Sequence, residues 1–283
     1  MPRTADALMS IVIPAHNEAR GIAHTLEVLQ GGTKPGELEI VVACNGCTDD
    51  TAARARRAAP GATVLELVEP SKHQAQGAGG AVARAFPRIL MDADVLITGT
   101  DLEKLSAALV GEIQAAAPRR RVASSGSRVI DAYYRVWQQL PQVRAGLFGR
   151  GVIALSAAGW QTINDLPPMM SDDLVVSEAF PAHVRRIVED AIVEIKPPRR
   201  VRDLVKRRIR VVTGNAQADQ HGLRGSSSVT EVSDLLALCR RQPSRVPDVA
   251  VFVAITVVAR LGAKRAVRRN DFQTWLRDES SRE

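Results

Sequence analysis

Ser10-Ile11-Val12-Ile13-Pro14-Ala15-His16-Asn17-Glu18 is the stretch on which the fold turns. A β-branched run closed by proline reads as a buried parallel strand that stops at a loop, because a strand covered on both faces needs no polar alternation. Downstream, Glu18 to Leu29 carries Ile22, Leu26 and Leu29 at helical spacing and is closed by Gly31-Gly32. Leu38 to Ala43 repeats the strand. Thr48 to Ala59 predicts a helix with Thr48 as N-cap and Asp49 and Asp50 in the first turn, where acids complement the helix dipole. Thr63 to Val68 gives a third strand and Gln74 to Phe86 a helix of small residues, with Lys72 in the loop before it. Arg88 to Met91 is a strand that runs straight into Asp92-Ala93-Asp94. Strands alternating with helices predict an α/β fold, with a mixed, mainly parallel sheet flanked by helices in the Rossmann-like manner. Ligands of such sheets collect beyond the carboxyl ends of the strands, so the suspect loops are Ala15 to Glu18, Cys44 to Asp50 and Asp92 to Asp94.

The second half is read more coarsely. Asp101 to Ala117 is expected to be a helix ending in Ala115-Ala116-Ala117-Pro118, followed by the basic run Arg119-Arg120-Arg121. Residues 128 to 142 look helical, and Gly146 to Gly151 is glycine-rich. Ser171 is placed to cap a helix that opens on Asp172-Asp173. His183 to Ile195 reads as strand, residues 199 to 210 are densely basic, and the pattern from Ser233 onwards is helical.

Composition narrows the function. The chain has 283 residues, 45% hydrophobic and 24% charged, enough to bury a real core without disulfide stapling. Its net charge of +7 suits anionic partners, yet aromatics are only 4%, so the stacking platform of a single-strand nucleic-acid binder is missing and no nucleic-acid partner is expected. Three cysteines, two of them the pair Cys44 and Cys47, build neither a disulfide framework nor a zinc site, which suits a cytoplasmic protein with reduced thiols. Met1 to Ser10 carries Arg3 and Asp6 and lacks the apolar run of a signal peptide. The longest uncharged apolar stretch, Val249 to Ala259, falls short of the roughly 20 residues that span a bilayer, so no span is expected.

Three groups of residues can carry chemistry. Asp92 and Asp94, spaced i, i+2 after a strand, can converge on a hard divalent cation that bridges the phosphates of a nucleoside diphosphate, or can be two acids on a solvated turn. Asp172 and Asp173 can supply a general base, or can be acids serving a helix dipole. Lys196, Arg199, Arg200, Arg202, Lys206, Arg207, Arg208 and Arg210, set against Asp203 alone, can clamp a diphosphate or form a solvated basic surface.

The order of these pieces resembles the family 2 glycosyltransferases of GT-A fold. The resemblance runs over roughly residues 9 to 215: Ile11 to Glu18, then Asn45-Gly46-Cys47-Thr48-Asp49-Asp50-Thr51, Lys72, Asp92-Ala93-Asp94, and Ser171-Asp172-Asp173. It implies transfer of a sugar from a nucleoside diphosphate sugar to a hydroxyl acceptor, by inversion, with Mg²⁺ or Mn²⁺. It also implies that Pro14, Ala15, Glu18, Asn45, Asp49 and Lys72 line the nucleotide pocket. Asp92 and Asp94 would hold the metal, with Asp94 the stronger ligand. Asp173 would be the base, with Asp172 as alternative, and Arg207, Arg208 and Arg210 before Gly214-Asn215 would help hold the diphosphate. Residues 1 to 215 would then be the transferase domain, its nucleotide half about 1 to 100 and its acceptor half about 101 to 215, with 216 to 283 a helical extension. Two departures stand out. Many members carry Asp-Asp-Gly-Ser where this chain has Cys44-Asn45-Gly46-Cys47, which leaves uridine specificity open. The Gln-x-x-Arg-Trp signature of processive members is absent, which favours single addition.

Competing readings are a sugar nucleotidyltransferase, whose glycine-rich loop after the first strand is missing from Pro14 to Glu18, and a non-catalytic nucleotide-sugar or partner-binding module. The tail adds one more expectation. Pro247-Asp248 would cap an apolar helix, Val249 to Ala259, followed by Arg260, Lys264, Arg265, Arg268 and Arg269. Through residues 248 to 269 that helix could lie on an anionic membrane at its inner face and present a lipid-linked acceptor, or pack on the core with a solvated basic end.

Overall fold

The computed structural model describes residues 7–34, 36–225 and 228–268; the readings at Arg3, Asp6, Arg269 and the residues after it lie outside that range. In chain order the elements are β1 (Met9–Ala15), α1 (Ile22–Gln30), β2 (Leu38–Asn45), α2 (Thr51–Ala58), β3 (Thr63–Leu67), α3 (Lys72–Val82), β4 (Arg88–Met91), β5 (Val95–Leu96), α4 (Gly99–Ala107) and β6 (Ala115–Val122). They continue as α5 (Arg128–Trp137), α6 (Pro141–Ala145), β7 (Val152–Leu155), α7 (Ala157–Asn164), α8 (Asp172–Glu178), β8 (Arg185–Ile195), α9 (Val201–Gln220), α10 (Val232–Arg241) and α11 (Val246–Arg268). The chain divides into two compact units. One comprises Met1–Arg121, Arg150–Leu166 and Phe180–Ile195; the other comprises Val122–Gly149, Pro167–Ala179 and Lys196–Glu283.

The first unit holds an eight-stranded sheet of order β3-β2-β1-β4-β7-β6-β8-β5. The four strands of the N-terminal half run parallel, whereas β7 pairs antiparallel with β4 and with β6, and β5 pairs antiparallel with β8. Period-2 alternation sends Ile11, Ile13, Val42 and Ile89 to one face, where they form a core with Ile22, Leu26 and Leu29 of α1 and Leu102 and Leu105 of α4. The opposite face carries Val12 and Val41, against which α3 lies so closely that a Cβ on Gly79 would stand 2.5 Å from the Val12 side chain. Both faces are covered, which is why these strands tolerate continuous apolar runs.

Several boundaries differ from the sequence expectation. The alanine run does not end a helix: α4 stops at Ala107, and Ala115 and Ala116 pair with Leu155 and Ala154 as strand β6. Alanine favours helix intrinsically, but complete burial of Ala115 to Ala117 inside the sheet outweighs that preference. Thr48 is not an N-cap, and α2 begins only at Thr51, because the Asp49 carboxylate accepts bonds from Thr51 and Ala19 and keeps residues 48–50 in a turn. Lys72 is the first residue of α3 rather than a loop residue, with the Ser71 hydroxyl accepting the Gln74 N–H at 3.2 Å as N-cap.

The second unit is helical. Its core joins Ile130, Tyr133, Tyr134 and Val136 of α5 to Leu204 of α9, Leu238 of α10, and Phe252 and Ile255 of α11. The basic stretch 199–210 lies largely in α9, and the apolar tail helix is longer than expected, starting at Val246 with Pro247 in its first turn and reaching Arg268. Among the described residues one helix, Pro243–Arg268, is long and apolar enough to cross a membrane by length and composition. Phe252, Ile255, Ala259 and Ala263 on one of its faces are nevertheless buried in protein.

Candidate active site

In the first unit, β2, β1 and β4 are parallel neighbours, so Asn45, Ala15 and Met91 bring their following loops to one edge of the sheet. Side chains stitch the first two loops together. The Asn45 amide donates to the Ala15 carbonyl at 2.9 Å, the Asn17 carboxamide oxygen accepts the Thr48 N–H at 2.7 Å, and Cys47 Sγ accepts the Asn17 N–H at 3.4 Å. Asn17 takes φ of 52°, a left-handed conformation that asparagine tolerates better than most residues. The Glu18 N–H donates to Thr51 Oγ1 at 2.8 Å, and Asp49 accepts both the N–H and the hydroxyl of Thr51. Burial alone would raise the Asp49 pKa, but these bonds and the Ala19 N–H hold its carboxyl below the usual range. Pro14, Ala15, Glu18 and Asn45 are buried, whereas His16, Asn17 and Cys47 are half-buried and Thr48 and Asp49 exposed.

The third loop carries the acids. Asp92 and Asp94 flank Ala93, whose carbonyl accepts the Thr25 hydroxyl of α1 at 3.0 Å, while the Asp92 N–H donates to the Gly151 carbonyl at 2.7 Å. Gly151 has φ of +67°, and a Cβ there would approach Val95 to 2.6 Å and the Asp92 carboxylate to 3.2 Å, so glycine is required twice over. Lys72, at the start of α3, places Nζ 2.7 Å from Asp92 Oδ1. Asp94 is exposed and makes no hydrogen bond or ion pair among the described residues. Also among the described residues, no group of three or more His, Cys, Asp or Glu side chains is placed to hold a metal. A hard cation that keeps several waters and takes substrate phosphates as ligands needs only one or two carboxylates, and Asp94 with Asp92 fits that requirement.

In the second unit, Asp173 at the start of α8 is held in place. Its Oδ2 accepts the Gly149 N–H at 2.7 Å and its Oδ1 accepts the Leu174 N–H at 2.9 Å. Ser171 is the N-cap residue by position, but its side chain makes no capping bond. Instead it meets α9: a Cβ on Gly214 would stand 2.2 Å from Ser171 Oγ, and the Gln217 side chain accepts the Met170 N–H at 3.0 Å. The arginine-bearing helix therefore packs directly on the segment that carries Asp172 and Asp173. Helical spacing puts Arg207 and Arg210 on one side of α9. Arg208 turns elsewhere, its guanidinium 5.8 Å from the Tyr133 ring centroid and its buried Nε without a hydrogen-bond partner among the described residues.

Thr25, Gly149 and Gly151 were not singled out by sequence reasoning. The run 146–151 reads only as glycine-rich, and nothing in it indicates that its amide and carbonyl groups secure Asp173 and Asp92.

Residues 10–160 match the model of glycosyl transferase family 2. No curated protein matches the chain. Among solved structures, the chain is similar to a mannosyltransferase from Pyrobaculum calidifontis in complex with GDP-Man and Mn²⁺, with TM-score 0.62 and 19% identity over 95% of this chain and 84% of that one. It is also similar to glucosyl-3-phosphoglycerate synthase from Mycobacterium tuberculosis in complex with Mn²⁺, UDP and glucosyl-3-phosphoglycerate, with TM-score 0.54 and 21% identity over 78% of this chain and 82% of that one. The same synthase with Mg²⁺ and UDP gives TM-score 0.55. At such identities the likeness establishes a shared fold.

Proposed function

The chain belongs to glycosyl transferase family 2, and from that premise we propose that it moves a sugar from a nucleoside diphosphate sugar to a hydroxyl acceptor, with inversion, a divalent cation and a single addition per acceptor. The observation that carries this reading is the Asp92-Ala93-Asp94 turn at the end of β4, with Asp94 exposed and Asp92 paired to Lys72. The complexes of the two structural neighbours, with GDP-Man and Mn²⁺ and with UDP and Mn²⁺ or Mg²⁺, support the donor class and the metal. Residues 1–215 carry the reaction in this reading, and 216–283 are an appended helical region.

Each side chain has a physical task. Pro14, Ala15 and Glu18, with the Asn45 to Asp49 loop, form the bed for the nucleotide; the buried Asn45 and Asp49, which accepts three hydrogen bonds, keep that bed rigid. Asp94, with Asp92, holds Mg²⁺ or Mn²⁺, whose charge offsets that of the departing diphosphate when it is bound. The acceptor oxygen bonds to the anomeric carbon as the bond from that carbon to the diphosphate breaks, and the electron pair leaves with the diphosphate. A hydroxyl is too weakly acidic to attack at neutral pH, so Asp173 takes its proton. The two amides on Asp173 fix its orientation and leave a lone pair on each oxygen, which makes it the better base candidate than Asp172. Arg207 and Arg210 supply charge-assisted hydrogen bonds to the diphosphate, and Arg208, with its guanidinium over the Tyr133 ring, supports their helix. The acceptor is a hydroxyl of a glycan, a lipid-linked compound or a small molecule, and the reaction belongs in the cytoplasm, where Cys44, Cys47 and Cys239 stay reduced.

A thermal-shift screen of UDP-, GDP- and TDP-sugars with and without Mn²⁺, on wild type and Asp94→Ala, tests the reading. Manganese-dependent stabilisation by one donor, lost in the variant, is the expected result. No response to any donor would instead favour a partner-binding module.

A further inference from the structure

The tail helix has two faces of different character. Phe252, Ile255, Ala259 and Ala263 are buried against the rest of the second unit, α5 and α9 included. On the other side Val246, Val253, Val257 and Leu261 are exposed, each by 41% or more. At about 100° per residue these four fall within an arc of about 80°, and at 1.5 Å per residue the stripe runs for about 22 Å. Lys264 and Arg268 continue the same arc beyond Leu261, with Arg260 and Arg265 at its edges, all four exposed. The single acid of α11, Asp248, is spent: its carboxylate accepts two hydrogen bonds from Arg135 and one from Arg245. From Val249 to Arg268 there is no aspartate or glutamate at all. Neighbouring α10 exposes Val232 and Leu236, one turn apart, and ends in Arg240 and Arg241.

A core helix has no need of an apolar stripe on its solvent side. We infer that the outer face of α11 is a docking surface for an anionic lipid bilayer, with the stripe Val246 to Leu261 lying in the interface and Lys264, Arg265 and Arg268 on the lipid phosphates. The sign of the charge selects this occupant: a cationic stripe without acids has its complement in anionic headgroups, whereas a second copy of the chain would present the same uncompensated cations. The inference is independent of the transfer chemistry.

Co-sedimentation of the full chain with vesicles tests it, comparing pure phosphatidylcholine with phosphatidylcholine containing about 30% phosphatidylglycerol. Wild type should pellet with the anionic vesicles and stay in solution with the neutral ones. Combined Val257→Gln and Leu261→Gln should weaken binding at least tenfold, and combined Lys264→Gln, Arg265→Gln and Arg268→Gln about a hundredfold. All substituted side chains are exposed, and unchanged melting curves would confirm that the fold is kept. Failure of wild type to bind anionic vesicles overturns the inference. So does loss of binding in the charge variant alone, since that is mere adsorption of a basic protein. Light scattering that shows a dimer broken by the apolar pair, with no vesicle binding, would assign the face to a second copy instead.

Discussion

Lys72 Nζ lies 2.7 Å from Asp92 Oδ1, so before any cation arrives the first aspartate of the β4 turn is already neutralised by the first residue of α3. Asp94, two residues on, carries its charge into solvent. One acid is thus held by the protein and the other is left to the ligand. Replacing Lys72 by methionine removes the competitor for Asp92, so Mn²⁺ alone should bind more tightly to the variant, measured by titration, while donor affinity falls. Both side chains of the pair are about a third exposed, so the loss of stability should stay within about 1 kcal/mol.

Asp173→Asn keeps one oxygen to accept either the Gly149 or the Leu174 N–H, turns its NH2 towards the other, and removes the ability to take a proton. We expect melting lowered by no more than a few degrees from the one lost amide bond and unchanged donor affinity, with turnover reduced by at least about a hundredfold. Asp172→Asn should reduce it far less. Steady-state kinetics on both variants decide the assignment, and the opposite ranking would move the base to Asp172.

Gly214→Ala tests how α9 supports the acid pair. The new Cβ would stand 2.2 Å from Ser171 Oγ and 2.9 Å from its backbone nitrogen, and a backbone atom has no rotamer in which to retreat. Overpacking of this kind costs about 1–3 kcal/mol, so the melting temperature should fall by several degrees. Turnover should fall with it as the segment bearing Asp173 shifts. Ser171→Ala in the same chain should recover only part of the loss, because the backbone clash persists.

Glu39 predicts an acid sensitivity. Burial pushes its carboxyl up, but bonds from the Ser10 hydroxyl, the Arg84 guanidinium and the Arg84 and Ala85 amides overcome this and hold its pKa at about 2. The folded value lies below the ordinary 4.5, so the contribution is complete above that pH and is lost as pH falls towards about 2. It amounts to at most about 3 kcal/mol. Denaturant titrations across this range should show stability falling with acid, less steeply in Glu39→Gln.

The parallel half of the sheet could be read from sequence because Ile11 to Ile13 and Ile40 to Ala43 are buried on both faces and so lack alternation. The same reasoning fails at Ala115 to Ala117, where local propensity says helix and only pairing with Ala154 and Leu155, some forty residues away, makes a strand. The carboxylates were legible as residue types after a strand and before a helix. Their anchoring was not, since the Gly149 amide that holds the Asp173 carboxylate and the Gly151 carbonyl that holds the Asp92 backbone are main-chain groups that no side-chain pattern encodes. The outer stripe of α11 was hidden for a related reason: apolar residues surround that helix, and only packing reveals which of them face solvent.

In the proposed reaction Asp94 binds the donor's diphosphate through a cation. Calorimetric titration of the best donor from the screen into wild type with Mn²⁺, wild type with EDTA, and Asp94→Asn with Mn²⁺ tests it most directly. Tight binding is expected only in the first case, with affinity at least about a hundredfold lower in the other two, a difference of about 2.8 kcal/mol. Equal affinity in all three would contradict it.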